Sequence, residues 1–246
     1  MSKEKPGGMM ETVRTIVYAM LIAAAVRTIA FEPFNIPSGS MIPTLLIGDY
    51  LFVSKFAYGY SRHSMPFSIG PGGGRILESV PERGDVIVFK KPTENKVDYI
   101  KRVVGLPGDR IQVTGGILHI NGEAVERKRV EDFIERDRDG NIIRAAQYIE
   151  TLPNGRKHRI IEFMGDRGLA DNTVEFKVPA GHYFMMGDNR DNSTDSRFAD
   201  VGFVPAENLV GRAEVLFFSS DGSAALWEVW RWPWAIRYAR LFKGIE

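Results

Sequence analysis

Residues 15–26 read TIVYAMLIAAAV, twelve positions without a charge, and no other stretch constrains the chain as strongly. Arg27 interrupts the run, and 28–31 (TIAF) carry its apolar character on to Phe31. A helix needs about 20 mostly apolar residues to cross the hydrocarbon core of a bilayer. The window 12–31 reaches that length with Arg14 and Arg27 near its ends, where long cationic side chains can extend to the headgroups. No charge-free, small-residue cleavage site follows, so the run reads as a retained single-pass anchor rather than a removed leader. Lys3, Lys5 and Arg14 precede the core of the span, and 28–54 contain no Lys or Arg. That bias predicts a cytoplasmic N-terminus, with the remainder of the chain on the outer face of a phospholipid membrane.

After the anchor the pattern changes to short β-rich runs separated by Gly and Pro. These are 49–56, 85–89, 99–104, 110–113, 117–120, 182–186 and 209–218, with Asn121-Gly122 as a hairpin turn signal. Helical periodicity is weak, so the expectation is a mainly β domain built from hairpins. The Gly-rich segment 68–75 lacks the Lys-Ser/Thr and helix of a phosphate cradle and reads as a loop. Residues 127–171 carry ten basic and nine acidic side chains, a composition that suggests a solvated subdomain inserted into the core fold. The expected organisation is an anchor at 1–31, a β domain from 32–126 and 174–246, and the insert at 127–173.

Composition excludes several chemistries. The balance of 32 Lys+Arg against 31 Asp+Glu gives no case for a nucleic-acid partner. With no cysteine there are no disulfides, thiolate sites or cysteine nucleophiles. Four histidines without metal-ligand spacing argue against a metal, and nothing indicates a cofactor. His63, His119, His158 and His182 lie in settings typical of surface or strand histidines, which removes the obvious base for a hydroxyl nucleophile. All four tryptophans fall in WEVWRWPW near the C-terminus, followed by Arg237, Arg240 and Lys243. This is the composition of a membrane-interface segment, or equally of a tail packed on the domain, since Pro233 spoils a simple amphipathic helix.

Three segments hold groups suited to catalysis. At 37–41, two hydroxyls and a Gly lie in a turn bounded by Pro37 and Pro43, able to expose a serine and converge backbone N–H groups. At 101–102, Lys101 and Arg102 are adjacent in a strand-like run and so face opposite sides. One cation can reach solvent while the other enters apolar surroundings, and burial lowers a lysine's pKa until it can accept a proton from serine. At 187–198 the run GDNRDNSTDSRF is dense in residues that build rigid turns. Ser193 could donate to a neutral amine there, and Asp195 could pair with Arg197.

These stretches resemble, in order, the bacterial type I signal peptidase family (the leader peptidases): PSGSMIPTLLIGDY at 37–50, RGDVIVF at 83–89, YIKRVVGLPGD at 99–109, GDNRDNSTDSRF at 187–198 and FVPAENLVGRA at 203–213. The resemblance is thin over the charged insert and the Trp tail. It implies a largely β fold with a smaller inserted β subdomain. It also implies a serine endopeptidase with a Ser-Lys dyad that cuts exported preproteins after small residues at the bacterial inner membrane. By that resemblance Ser40 is the nucleophile and Lys101 the general base, while Ser38 and the Ser40 N–H form the oxyanion hole. Ser193 then orients the lysine, and Asp195 and Arg197 stabilise the site. Phe34, Ile36, Met41, Leu45, Val88, Tyr99 and Ile100 are expected to wall shallow pockets for the substrate. Only one span precedes the first block, where some members have two, and Thr194 occupies a variable position.

Overall fold

The computed structural model describes residues 8–64, 74–136, 141–224 and 227–245, so the Gly-rich loop at 68–75 lies almost wholly outside the described residues. Helix α1 spans Met9–Ile29, 21 residues of high mean hydropathy with none of its apolar window buried in the protein. At 1.5 Å per residue it extends about 30 Å, the thickness of a bilayer core. It begins earlier than the apolar window and ends before Phe31, which belongs to a strand. Arg14 accordingly lies in the second turn, where its Nε donates to the Tyr18 hydroxyl at 3.0 Å.

From Phe31 the chain is β. A seven-stranded sheet runs in the order β1 (Phe31–Asn35), β2 (Asp49–Ser54), β15 (Leu209–Ser219), β3 (Val86–Lys90), β4 (Asp98–Gly105), β13 (His182–Met186) and β14 (Val204–Pro205), and every pair is antiparallel. Alternation in β2 sends Leu51 and Val53 into the core and leaves Tyr50 and Phe52 partly exposed. The outward rings continue across the sheet, with Phe52 stacked on Phe217 at 4.4 Å. A second sheet holds β12 (Phe176–Lys177), β5 (Arg110–Thr114), β6 (Ile117–Ile120) and β7 (Glu123–Ala124), the hairpins signalled by Gly115-Gly116 and Asn121-Gly122. A third is formed within the charged segment by β8 (Glu126–Arg129), β9 (Phe133–Arg136), β10 (Ile142–Thr151) and β11 (Lys157–Glu162).

The Trp-rich tail has two characters. Trp227, Trp230 and Trp234 are exposed. The arginines turn inward: Arg237 donates to the Ile47 carbonyl at 2.9 Å and pairs with Glu135 at 3.0 Å. Arg240 grips the Asp49 carboxylate and the Thr44 carbonyl.

Candidate active site

The turn that carries Ser40 is held from two sides by apolar burial. Ile36, Met41 and Leu45 enter the core beneath β2, β3 and β15, while Ile42 and Leu46 pack on Ala145 and Ile161 of β10 and β11. A polar residue between those anchors has nowhere to slide, and Ser40 is held there largely buried. Facing it, β4 presents Lys101 from the sheet. Its Nζ donates to Ser40 Oγ at 2.8 Å and to the Ile100 carbonyl at 2.9 Å, and it sits 5.2 Å from the centre of the Tyr99 ring. Lys101 is only 4% exposed, enough to strip its ammonium of hydration. Burial lowers its pKa to about 8; Asp195 and Asp188 pull the other way and Arg197 adds to the lowering. An amine in that range supplies a neutral fraction near neutral pH and can accept the serine proton.

Arg102 departs from expectation. It does face away from Lys101, but into a second buried network rather than solvent. Its Nε and Nη2 bind the Asp188 carboxylate at 2.9 and 2.7 Å, and its Nη1 donates to the Gly84 carbonyl at 2.8 Å. Burial would raise the Asp188 pKa; the Arg102 charge overcomes it and holds the group below the usual carboxylate range. Beyond lie Glu150, paired with Arg190, and His158, whose Nε2 is 3.3 Å from the Glu150 carboxylate. So His158 is a core histidine within an ion network, its pKa lowered by burial and by the Arg102 charge. Nothing in its local sequence marked it, because its partners come from β10, β4 and the 187–198 loop.

That loop forms the remaining wall. Asp195 receives the Gly187 N–H and pairs with Arg197, whose Nη2 donates to the Arg190 carbonyl. The pairing written in the sequence is present, but Ser193 does not hydrogen-bond Lys101. Its hydroxyl is buried beside the Asp195 carboxylate, whose pKa it helps to lower, and the Ile100 carbonyl takes the place beside the amine. Gly187 packs so closely that a Cβ there would lie 2.2 Å from Ser193 Oγ and 2.5 Å from the Ser40 carbonyl. Ser38 lies exposed two residues before Ser40. Of the expected pocket residues, Ile36, Met41, Leu45 and Val88 are core, with Phe34 and Ile100 packed on the same cluster. Tyr99 belongs to a neighbouring cluster under Lys101, so only Phe34, Tyr99 and Ile100 retain surface for a ligand.

The sequence blocks that carry this serine and lysine also match known proteins. The family described as "Signal peptidase, peptidase S26" matches residues 9–218. The chain belongs to this family. It is a signal peptidase, a hydrolase that processes signal peptides. Signal peptidase I of Rickettsia typhi is 38% identical over 247 aligned residues, covering 94% of this chain and 92% of the relative. Signal peptidase I of Rickettsia akari is 42% identical over 212 residues, covering 82% and 77%. A crystal structure of a signal peptidase I from Enterococcus faecalis aligns at 26% identity over 55% of this chain and 97% of its own, with a TM-score of 0.32.

Proposed function

We propose that this signal peptidase is a membrane-bound serine endopeptidase using Ser40 as nucleophile and Lys101 as general base, and that it cuts exported preproteins after small residues in Ala-X-Ala patterns. The 2.8 Å contact between Lys101 Nζ and Ser40 Oγ carries the reading, because it joins a nucleophile to a base lowered to about 8. Neutral Lys101 takes the Ser40 proton as Oγ attacks the scissile carbonyl. The tetrahedral oxyanion is met by the Ser40 N–H and the Ser38 hydroxyl, a kind of donor worth about 3 kcal/mol each. The C–N bond breaks, Lys101 returns its proton to the departing amine, and water then hydrolyses the acyl ester with Lys101 again as base. Arg197 and Asp195 stiffen the wall behind the amine, and Ser193 completes it. Surface on Phe34, Tyr99 and Ile100 over a filled core leaves room for small side chains only. Residues 32–126 and 174–246 are read as the catalytic domain and 127–173 as its insert.

Helix α1 is read as the single span, with the N-terminus cytoplasmic and the catalytic domain on the periplasmic face of the inner membrane. Exposed Trp227, Trp230 and Trp234 have the chemistry of rings at headgroup depth. The dyad is tested by incubating Ser40→Ala and Lys101→Ala enzyme with a signal-bearing preprotein: both should be inactive, and cleavage by either at the wild-type rate refutes it. The topology is tested with spheroplasts, where added protease should digest the domain from outside; protection until lysis would reverse the orientation.

A further inference from the structure

Residues 188–190 run between the Ser40 turn and β11, bonded to both. On one edge the Ile161 N–H donates to the Asp188 carbonyl at 2.9 Å, and the Arg190 N–H donates to the Ile161 carbonyl at 3.0 Å. On the other the Asn189 N–H donates to the Ser40 carbonyl at 3.1 Å. The Asn189 side chain adds a further contact, Nδ2 donating to the Gly39 carbonyl at 3.0 Å. Asn189 is 1% exposed and its Oδ1 has no partner, so the amide is held by its donor end alone. A buried polar atom left bare is costly, and a contact kept at that cost points to a role for the donor.

The Gly39 carbonyl and the Ser40 N–H are the two ends of one peptide group. That group is planar and trans, so its C=O and N–H point in opposite directions; the one cis bond among the described residues is Ile42–Pro43. Two donors grip the Gly39 oxygen, Asn189 Nδ2 at 3.0 Å and the Ile42 N–H of the same turn at 3.2 Å, and together they set the direction of the Ser40 N–H. That N–H donates to no described residue. We propose that Asn189 is a positioning residue for the oxyanion hole: its amide fixes the 39–40 peptide plane so that the Ser40 N–H is aimed at the developing oxyanion. The inference rests on the dyad reading of Ser40. The main-chain bonds of 188–190 to Ile161 and Ser40 do not involve the Asn189 side chain, so its loss leaves the segment seated and the Gly39 oxygen held only by the longer 3.2 Å turn bond from the Ile42 N–H.

The test is steady-state cleavage of a preprotein by Asn189→Ala across pH. Loss of one oxyanion donor costs about 10²- to 10³-fold in kcat, and a donor merely released from its aim should cost about 10- to 100-fold. KM should stay within about twofold, as for an interaction made only in the transition state. The lower limb of the kcat profile should stay where wild type has it, near 8, because Lys101 keeps both its bonds. A peptide aldehyde ending in Ala, which forms a tetrahedral adduct, should weaken by the same factor as kcat. Asn189→Asp keeps the shape, removes the donor and sets oxygen against oxygen, so it should lose at least as much; it decides the matter if the Ala variant does not fold. A kcat within about twofold of wild type in the variant that folds overturns the inference, as does a rise in KM or a shifted limb tracking the loss in kcat. These results leave the dyad standing, whereas active Ser40→Ala enzyme would remove the dyad itself.

Discussion

Lys101→Met should separate activity from stability in a pH-dependent way. The substitution keeps an unbranched apolar stem and removes the ammonium. In the folded chain burial holds this amine at about 8, against 10.5 for an ordinary lysine. Between those values the unfolded chain binds more protons than the folded one, so wild-type stability rises with pH through that window and is lowest below it. The gap of 2.5 units, 10.5 less 8, corresponds to roughly 3 kcal/mol of destabilisation below pH 8. Methionine escapes that cost but gives up the bonds to Ser40 and Ile100, about 1 kcal/mol each. At about pH 6.5 the inactive variant should therefore be the more stable by about 1 kcal/mol, and by about pH 10 the order should reverse, a swing of about 2–3 kcal/mol. Urea unfolding of both proteins in the same detergent, followed by tryptophan fluorescence at the two pH values, measures it. A stability difference that does not change with pH would show that the folded amine titrates like a free lysine, and the argument for a neutral base would fail with it.

Glu150→Gln removes the carboxylate that pairs directly with the buried Arg190 guanidinium, a loss of about 3–5 kcal/mol. At about 2–4 °C per kcal/mol for a chain of this size, Tm should fall by about 6–20 °C. Burial favours protonation of Glu150, but Arg190 and His158 overcome it and hold the pKa down. Its stabilisation is thus present above the ordinary carboxylate pKa and lost as pH falls toward the depressed one. Wild type should lose more stability than the variant on acidification, and parallel melting curves across pH would contradict this. Gly187→Ala should reduce kcat by about 100-fold or more, since its methyl meets the Ser193 side chain and the Ser40 carbonyl well inside contact distance. Near-normal cleavage by that variant would mean the wall behind Ser40 is softer than its packing implies.

Periodicity and composition by themselves determined the membrane-length helix and the strands, because both are local. The β runs at 85–89, 99–104, 182–186 and 209–218 lie within a residue or so of β3, β4, β13 and β15. The segments able to hold a nucleophile and a base were equally legible, since a Pro-bounded Ser-Gly turn and a Lys-Arg pair in a strand are short-range patterns. Only the tertiary structure decided what those side chains meet. Alternation required Arg102 to oppose Lys101, but not that it would be buried against Asp188, 86 residues away. The charged composition of 127–171 suggested solvated surface, yet Glu150 and His158 are buried, because Arg190 arrives from the 187–198 loop to pair with Glu150, and His158 sits beside that pair. Asn189 reads as one more turn former in GDNRDN; its hold on Gly39 spans 150 positions. Burial and charge pairing are properties of folded neighbours, and no window of sequence contains both partners.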